Sequence, residues 1–144
     1  MGAALNKILI YARDTRRTAE FYQRFFGFAV AADEGDGILE LASPSGGACI
    51  LIHQAAKSVK LGQVGVKLVF DVKDIEAFKQ NCAALGLKFG STHQADGYAF
   101  ANAKDPDNNS VSISSRAYRH GGIDTSPGTH GARRRGGRDS QLET

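Results

Sequence analysis

Two lysines occupy matching places in two similar runs, Lys7-Ile-Leu-Ile-Tyr-Ala-Arg-Asp14 and Lys67-Leu-Val-Phe-Asp-Val-Lys-Asp74. A protonated lysine offers three donors and no lone pair. Such a pair therefore suits an anionic or carboxylate-bearing partner and repels a divalent cation. Two ammonium groups a few Å apart repel by on the order of several kcal/mol even at an effective dielectric of ~20. The metal-ligating types nearest in pattern are Glu40 with His53, on adjacent predicted strands, and Asp71 with His53. For Glu40 and His53 a solvated glutamate and a surface histidine are the plainer reading. Metal-free catalysis through a lysine of lowered pKa is a remote variant of an enzymatic reading. Cys49 and Cys82 fall in a strand pattern and a helix pattern. They read as buried free thiols, so the expected location is a reducing cytoplasm.

The elements that must position these residues repeat at about 60 residues. Residues 6–13 alternate and are rich in β-formers, which predicts a strand. Asp14 is an N-cap for a helix over Thr15–Phe26, with Gly27 as its stop. Phe21, Tyr22, Phe25 and Phe26 share one face of it. Short strands follow at Phe28–Ala32, Ile38–Leu41 and Ala48–His53, around turns at 33–37 and Pro44. After a polar linker over 54–64 the pattern restarts with a strand over Val66–Val72. Asp74 then caps a helix carrying Ile75, Phe78, Cys82 and Leu85 on one face, ended by Gly86. Strands are expected at Leu87–Phe89, Tyr98–Asn102 and Ser110–Ser114. Each half thus reads β-α-β-β-β. Two copies are too few for a solenoid, so the halves are expected to share one core.

Alternation also assigns faces. If Lys7 faces the cleft, so do Leu9 and Tyr11, with Ile8 and Ile10 under the helix. Lys67 likewise brings Val69 and Asp71, and Ser112 brings Ser110 and Ser114. Asp71 is too far along its strand to touch Lys67, and is expected beside Lys7 across the junction of the halves.

The chain has 144 residues, one domain's worth, with an ordinary apolar fraction of 42%. No run approaches a membrane span. The first residues lack the pattern of a secretory leader, and Asn6 breaks the myristoylation pattern. The formal charge of +3 hides an asymmetry: residues 116–144 hold six of the 18 basic residues and three of the 15 acidic ones, which leaves the body neutral. Residues 118–144 are Gly- and Arg-rich and nearly free of apolar side chains, so a disordered tail is expected after a domain over 1–117. Arg133-Arg134-Arg135-Gly-Gly-Arg138 would attract phosphates. No aromatic residue is interleaved for stacking on bases, so nucleic acid is not the expected partner.

Three pieces carry a family resemblance over roughly residues 5–115. They are Ile8–Asp14 with Phe21-Tyr22 and Phe26-Gly27, then Phe70-Asp-Val-Lys-Asp74 with Ala84-Leu-Gly86, then Phe100 with Asp105-Pro-Asp-Asn-Asn109. In this order the chain resembles the vicinal-oxygen-chelate superfamily of glyoxalase I, bleomycin-resistance proteins and extradiol dioxygenases. The resemblance implies an α+β fold of two βαβββ modules, over about 5–54 and 65–115, whose mixed sheet curls round a cleft with helices outside. It also implies a homodimer that builds each cleft from both chains. In metal-dependent relatives four ligands stand on the first and last strands of each module, where the metal acts as a Lewis acid. The matching positions here are Lys7, Lys67, Ser112 and Leu51, or Ile50 in a register one residue shorter.

None of these is an ordinary metal ligand, so no metal, cofactor or catalytic residue is expected. The expected function is small-molecule binding without the family metal. The candidate cleft comprises Lys7, Leu9, Tyr11, Leu51, His53, Lys67, Val69, Asp71, Tyr98, Phe100 and Ser112, and its ligand would be anionic or aromatic. The alternative is a lyase, dioxygenase or transferase whose metal is held by other ligands.

Overall fold

The structure, a computed structural model, describes residues 2–33, 35 and 37–119. The expected tail lies outside the described residues from position 120 onward. At its start, Arg116–Tyr118 form one short 3-10 turn.

The first module runs β1 (Lys7–Ala12), α1 (Thr15–Phe26), β2 (Ala29–Asp33), β3 (Ile38–Ala42) and β4 (Cys49–Gln54). The second runs β5 (Lys67–Asp71), α2 (Ile75–Ala84), β6 (His93–Gln94), β7 (Ala99–Lys104) and β8 (Ser110–Ser114). Each module forms its own four-stranded sheet, in the orders β1-β4-β3-β2 and β5-β8-β7-β6. β1 runs parallel to β4 and β5 parallel to β8, while the other neighbours are antiparallel. The fold is thus α+β, built from two βαβββ units.

Both helices begin on an aspartate. Asp14 accepts from the Arg17 amide at 3.1 Å and Asp74 from the Ala77 amide at 3.0 Å, each filling one of the orphan donors of a first turn. α1 ends at Gly27, whose φ of 76° is left-handed. The amides of Gly27 and Phe28 donate back to the carbonyls of Gln23 and Tyr22, a glycine-dependent stop.

The second module departs from the expected pattern at its edge. Leu87–Phe89 form no strand, and β6 begins only at His93 and is two residues long. Phe89 is instead buried with Ile75 and Cys82, and Leu87 packs against the same cluster. The alternation of Leu87 and Phe89 thus reports anchoring under α2. Just beyond them, the Gly90 amide donates to the Asn102 carbonyl of β7.

The two modules share apolar packing through α1. Phe25 and Phe26 pack against the core clusters of both. Phe26 stacks on Phe70 of β5 with ring centroids 3.9 Å apart. The buried Tyr22 hydroxyl donates to Asp105 in the β7–β8 turn at 2.7 Å. Thr18 donates to Asp107 of the same turn at 2.6 Å. Among the described residues, no helix is long and apolar enough to cross a membrane.

Candidate functional site

The faces turned away from the helices carry the candidate residues. In β1, Ala12 is buried and Ile10 packs into the core, while Leu9 and Tyr11 are 41% and 49% exposed. In β5, Leu68 and Phe70 pack into the shared core and Val69 is 57% exposed. In β8, Val111 and Ile113 are fully buried in that core.

Strand register shows how strictly the two open faces correspond. Lys7 lies opposite Cys49, Leu9 opposite Leu51 and Tyr11 opposite His53. Lys67 lies opposite Ser110, Val69 opposite Ser112 and Asp71 opposite Ser114. Leu51, and not Ile50, is therefore the counterpart of Ser112. On the next strands Glu40 lies opposite Leu51, and Asn102 opposite Ser112. The two lysines thus meet equivalent partners. Lys7 Nζ donates to Glu40 Oε2 at 3.1 Å, and Lys67 Nζ donates to Asn102 Oδ1 at 3.0 Å. The Glu40 hydrogen bond, then its charge, holds the Lys7 ammonium above the ordinary lysine range.

Lys7 therefore bonds across its own sheet, and the expected neighbour Asp71 is not its partner. β1 and β5 belong to separate sheets, and Glu40 is reached diagonally over β4. The hydrogen bonds and ring contacts that join the modules run through α1, the Asp105–Asp107 turn and the helix side of β5. Among the described residues, none joins one open face to the other. The structure groups Lys7, Leu9, Tyr11, Leu51 and His53 on one sheet. Lys67, Val69, Asp71, Ser112 and Phe100 stand on the other, with Tyr98 just before β7.

Several side chains have settled local partners. The Tyr11 and His53 rings lie 5.4 Å apart, and His53 Nδ1 faces the Gln54 carbonyl at 2.8 Å. Ser112 is 3% exposed and its hydroxyl donates to the Ala101 carbonyl at 3.1 Å, which satisfies a buried polar group. Phe100 stacks on His93 at 5.0 Å. Tyr98 sits under the guanidinium groups of Arg116 and Arg119, at 5.1 and 5.7 Å from its ring centroid, in cation–π range. Sequence reasoning missed His93, Asn102 and Lys104 on this face. Aligning the repeat through Glu40 and Asn102 would have found the second of these.

The donor set at the four family positions does not fit a divalent metal. Lys7 and Lys67 carry ammonium groups, Leu51 has no donor atom, and the Ser112 hydroxyl is engaged by backbone. Glu40 is held by Lys7 rather than turned to His53, which lies opposite Ile38. Among the described residues, no group of three or more His, Cys, Asp or Glu side chains is placed to hold a metal.

Residues 4–113 match the model of the Glyoxalase/Bleomycin resistance protein/Dioxygenase superfamily. The chain belongs to that superfamily. Solved structures repeat its fold at low identity. UcmS2 matches with a TM-score of 0.68 at 19% identity, over 80% of this chain and 99% of that one. TnmS3, an antibiotic binding protein from Streptomyces sp. CB03234, matches with 0.66 at 17%, over 77% and 93%. Lactoylglutathione lyase from Agrobacterium tumefaciens matches with 0.63 at 20%, over 78% and 93%. No curated protein sequence matches the chain.

Proposed function

We propose that this superfamily member is a small-molecule binding protein whose ligand lies on the open sheet faces, without the family metal. The observation that carries this reading is the pairing of exposed apolar side chains, Leu9, Tyr11 and Val69, with non-ligating residues at all four family positions. Apolar walls with a few fixed polar groups are what a small-molecule site needs. TnmS3, with the same fold, is described as an antibiotic binding protein. Among the described residues no hydrogen bond or ring contact joins the two open faces, and in this reading a second copy of the chain completes the cleft. The unpaired thiols Cys49 and Cys82 fit a reducing cytoplasm.

The enzymatic alternative, a lyase, dioxygenase or transferase, has the lactoylglutathione lyase fold on its side. It requires ligands outside Lys7, Leu51, Lys67 and Ser112. Metal analysis of protein purified without chelator, with melting curves in Ni²⁺, Zn²⁺, Mn²⁺ and Fe²⁺, separates the two. A stoichiometric metal, or a metal-dependent rise in melting temperature, would reject the binding-protein reading as stated.

A further inference from the structure

The two open faces differ at one end, and the difference is one of charge. On the first sheet, the row at the start of β1 is Lys7 and Cys49. Offsetting by two from Glu40, the equivalent of Lys104 is Ala42, and the one ammonium of that row is neutralised by Glu40. On the second sheet, Ser110 of β8 lies between Lys67 of β5 and Lys104 of β7. That row carries two ammonium groups. Their recorded partners are uncharged oxygens, Asn102 Oδ1 for Lys67 at 3.0 Å and Ser110 Oγ for Lys104 at 2.9 Å.

No carboxylate answers this charge among the described residues. Neither lysine enters an ion pair. Asp71, on the same face, is four residues along β5, roughly 13 Å away at the usual strand rise. The acidic residues of the neighbouring turn are engaged elsewhere. Asp105 accepts from Tyr22 and Asn109, and Asp107 accepts from Thr18 and the Arg13 amide. Adjacent strands stand ~4.8 Å apart, so Lys67 and Lys104 flank Ser110 with Cα atoms roughly 10 Å from each other. Lys104 Nζ already meets Ser110 Oγ, and the flexible four-carbon stem of Lys67 lets its ammonium swing from Asn102 to the same place; the serine hydroxyl is a third donor.

We propose that Lys67, Ser110 and Lys104 form an oxyanion seat for the carboxylate, phosphate or sulfate group of a small molecule. The proposal rests on the small-molecule reading above and names the chemical class of its ligand. A bound oxyanion would replace ammonium repulsion by two charge-assisted hydrogen bonds. The row holds no aromatic side chain on which a base could stack, which favours a small molecule over single-stranded nucleic acid.

The test uses the full chain and inorganic phosphate, titrated against chloride at matched ionic strength. Amide and lysine side-chain NMR signals are followed. Saturable shifts at Lys67, Ser110 and Lys104 are expected, weakened at least tenfold in Lys67→Gln and in Lys104→Gln. Lys57→Gln and Lys60→Gln, in the linker, should leave binding unchanged, and Lys104→Arg should retain it. Shifts that do not saturate, that spread equally to Lys57 and Lys60, or that persist in both glutamine variants overturn the proposal. So does an oligonucleotide that occupies the same three residues more tightly than phosphate. Naphthalene, followed at the Leu9, Leu51 and Val69 methyls, reports the apolar cleft separately. Naphthalene binding without phosphate binding removes the seat and keeps the cleft. Phosphate binding without naphthalene binding does the reverse.

Discussion

Tyr22 and Asp105 lie 83 residues apart in sequence and 2.7 Å apart in space, phenol to carboxylate, with both side chains buried. Tyr22 belongs to α1 of the first module and Asp105 to the β7–β8 turn of the second. Asp105 also accepts from the amides of Asp107 and Asn109 and from the Asn109 side chain. One carboxylate thus folds its own turn and fastens it to the opposite module.

Tyr22→Phe keeps the ring and removes the buried phenol donor to Asp105, one of the donors that cross between modules. A hydrogen bond to a charged group contributes about 1.5–3 kcal/mol. Urea unfolding should show a loss of that size, with an unchanged m-value. A loss below ~0.5 kcal/mol would mean that water replaces the phenol without penalty.

The same residue sets an alkaline limit. Burial, then the charge and hydrogen bond of Asp105, push the Tyr22 hydroxyl well above the ordinary tyrosine range. The folded state therefore holds a proton that the unfolded chain releases near pH 10. This contribution is fully present below pH ~10 and falls above it, by up to about 1.4 kcal/mol per pH unit. Between pH 9 and 11, Tyr22→Phe should lose less stability than the parent. Parallel curves would sink this assignment.

Lys7 and Glu40 are both partly exposed, so their pair adds little to stability. Glu40→Asn, which copies the Asn102 arrangement onto the first sheet, should change stability by less than ~0.5 kcal/mol. It should also leave Lys7 with an uncharged partner, read as a changed Lys7 side-chain signal. An unaltered Lys7 signal would count against charge compensation as the difference between the faces.

Leu9→Asp and Val69→Asp place charge on exposed apolar positions outside both core clusters. If a second copy covers these faces, sedimentation velocity should show a dimer for the parent and a shift to monomer, of tenfold or more in dissociation constant, for each variant. Their melting temperatures should fall only as far as dissociation explains. A parent that sediments as a monomer would dismiss the shared cleft.

Much of this molecule could be read from local chemistry. Asp14 and Gly27 bound α1 because a cap and a left-handed stop are written in single residues. Strand alternation separated Leu9 from Ile10 and Val69 from Phe70 because successive side chains of a strand point to opposite faces. Leu87 and Phe89 misled because burial under a helix and membership of a strand both select alternating apolar residues. The partner of Lys7 was illegible for another reason. Glu40 is two strands away, and only strand order brings it within reach. Lys104 went unnoticed because its meaning depends on a row across three strands.

The fastening of the two modules through α1 has a bearing on how such proteins change over time. Among the described residues, the apolar packing, hydrogen bonds and ring contacts that hold the halves together lie on the helix side. Each outward sheet surface is therefore a separate panel, free to drift one residue at a time without disturbing the joint or the opposite panel. Glu40 against Asn102, and Ala42 against Lys104, are places where the two corresponding panels differ. A designer could alter one half of the surface while the other serves as an internal control.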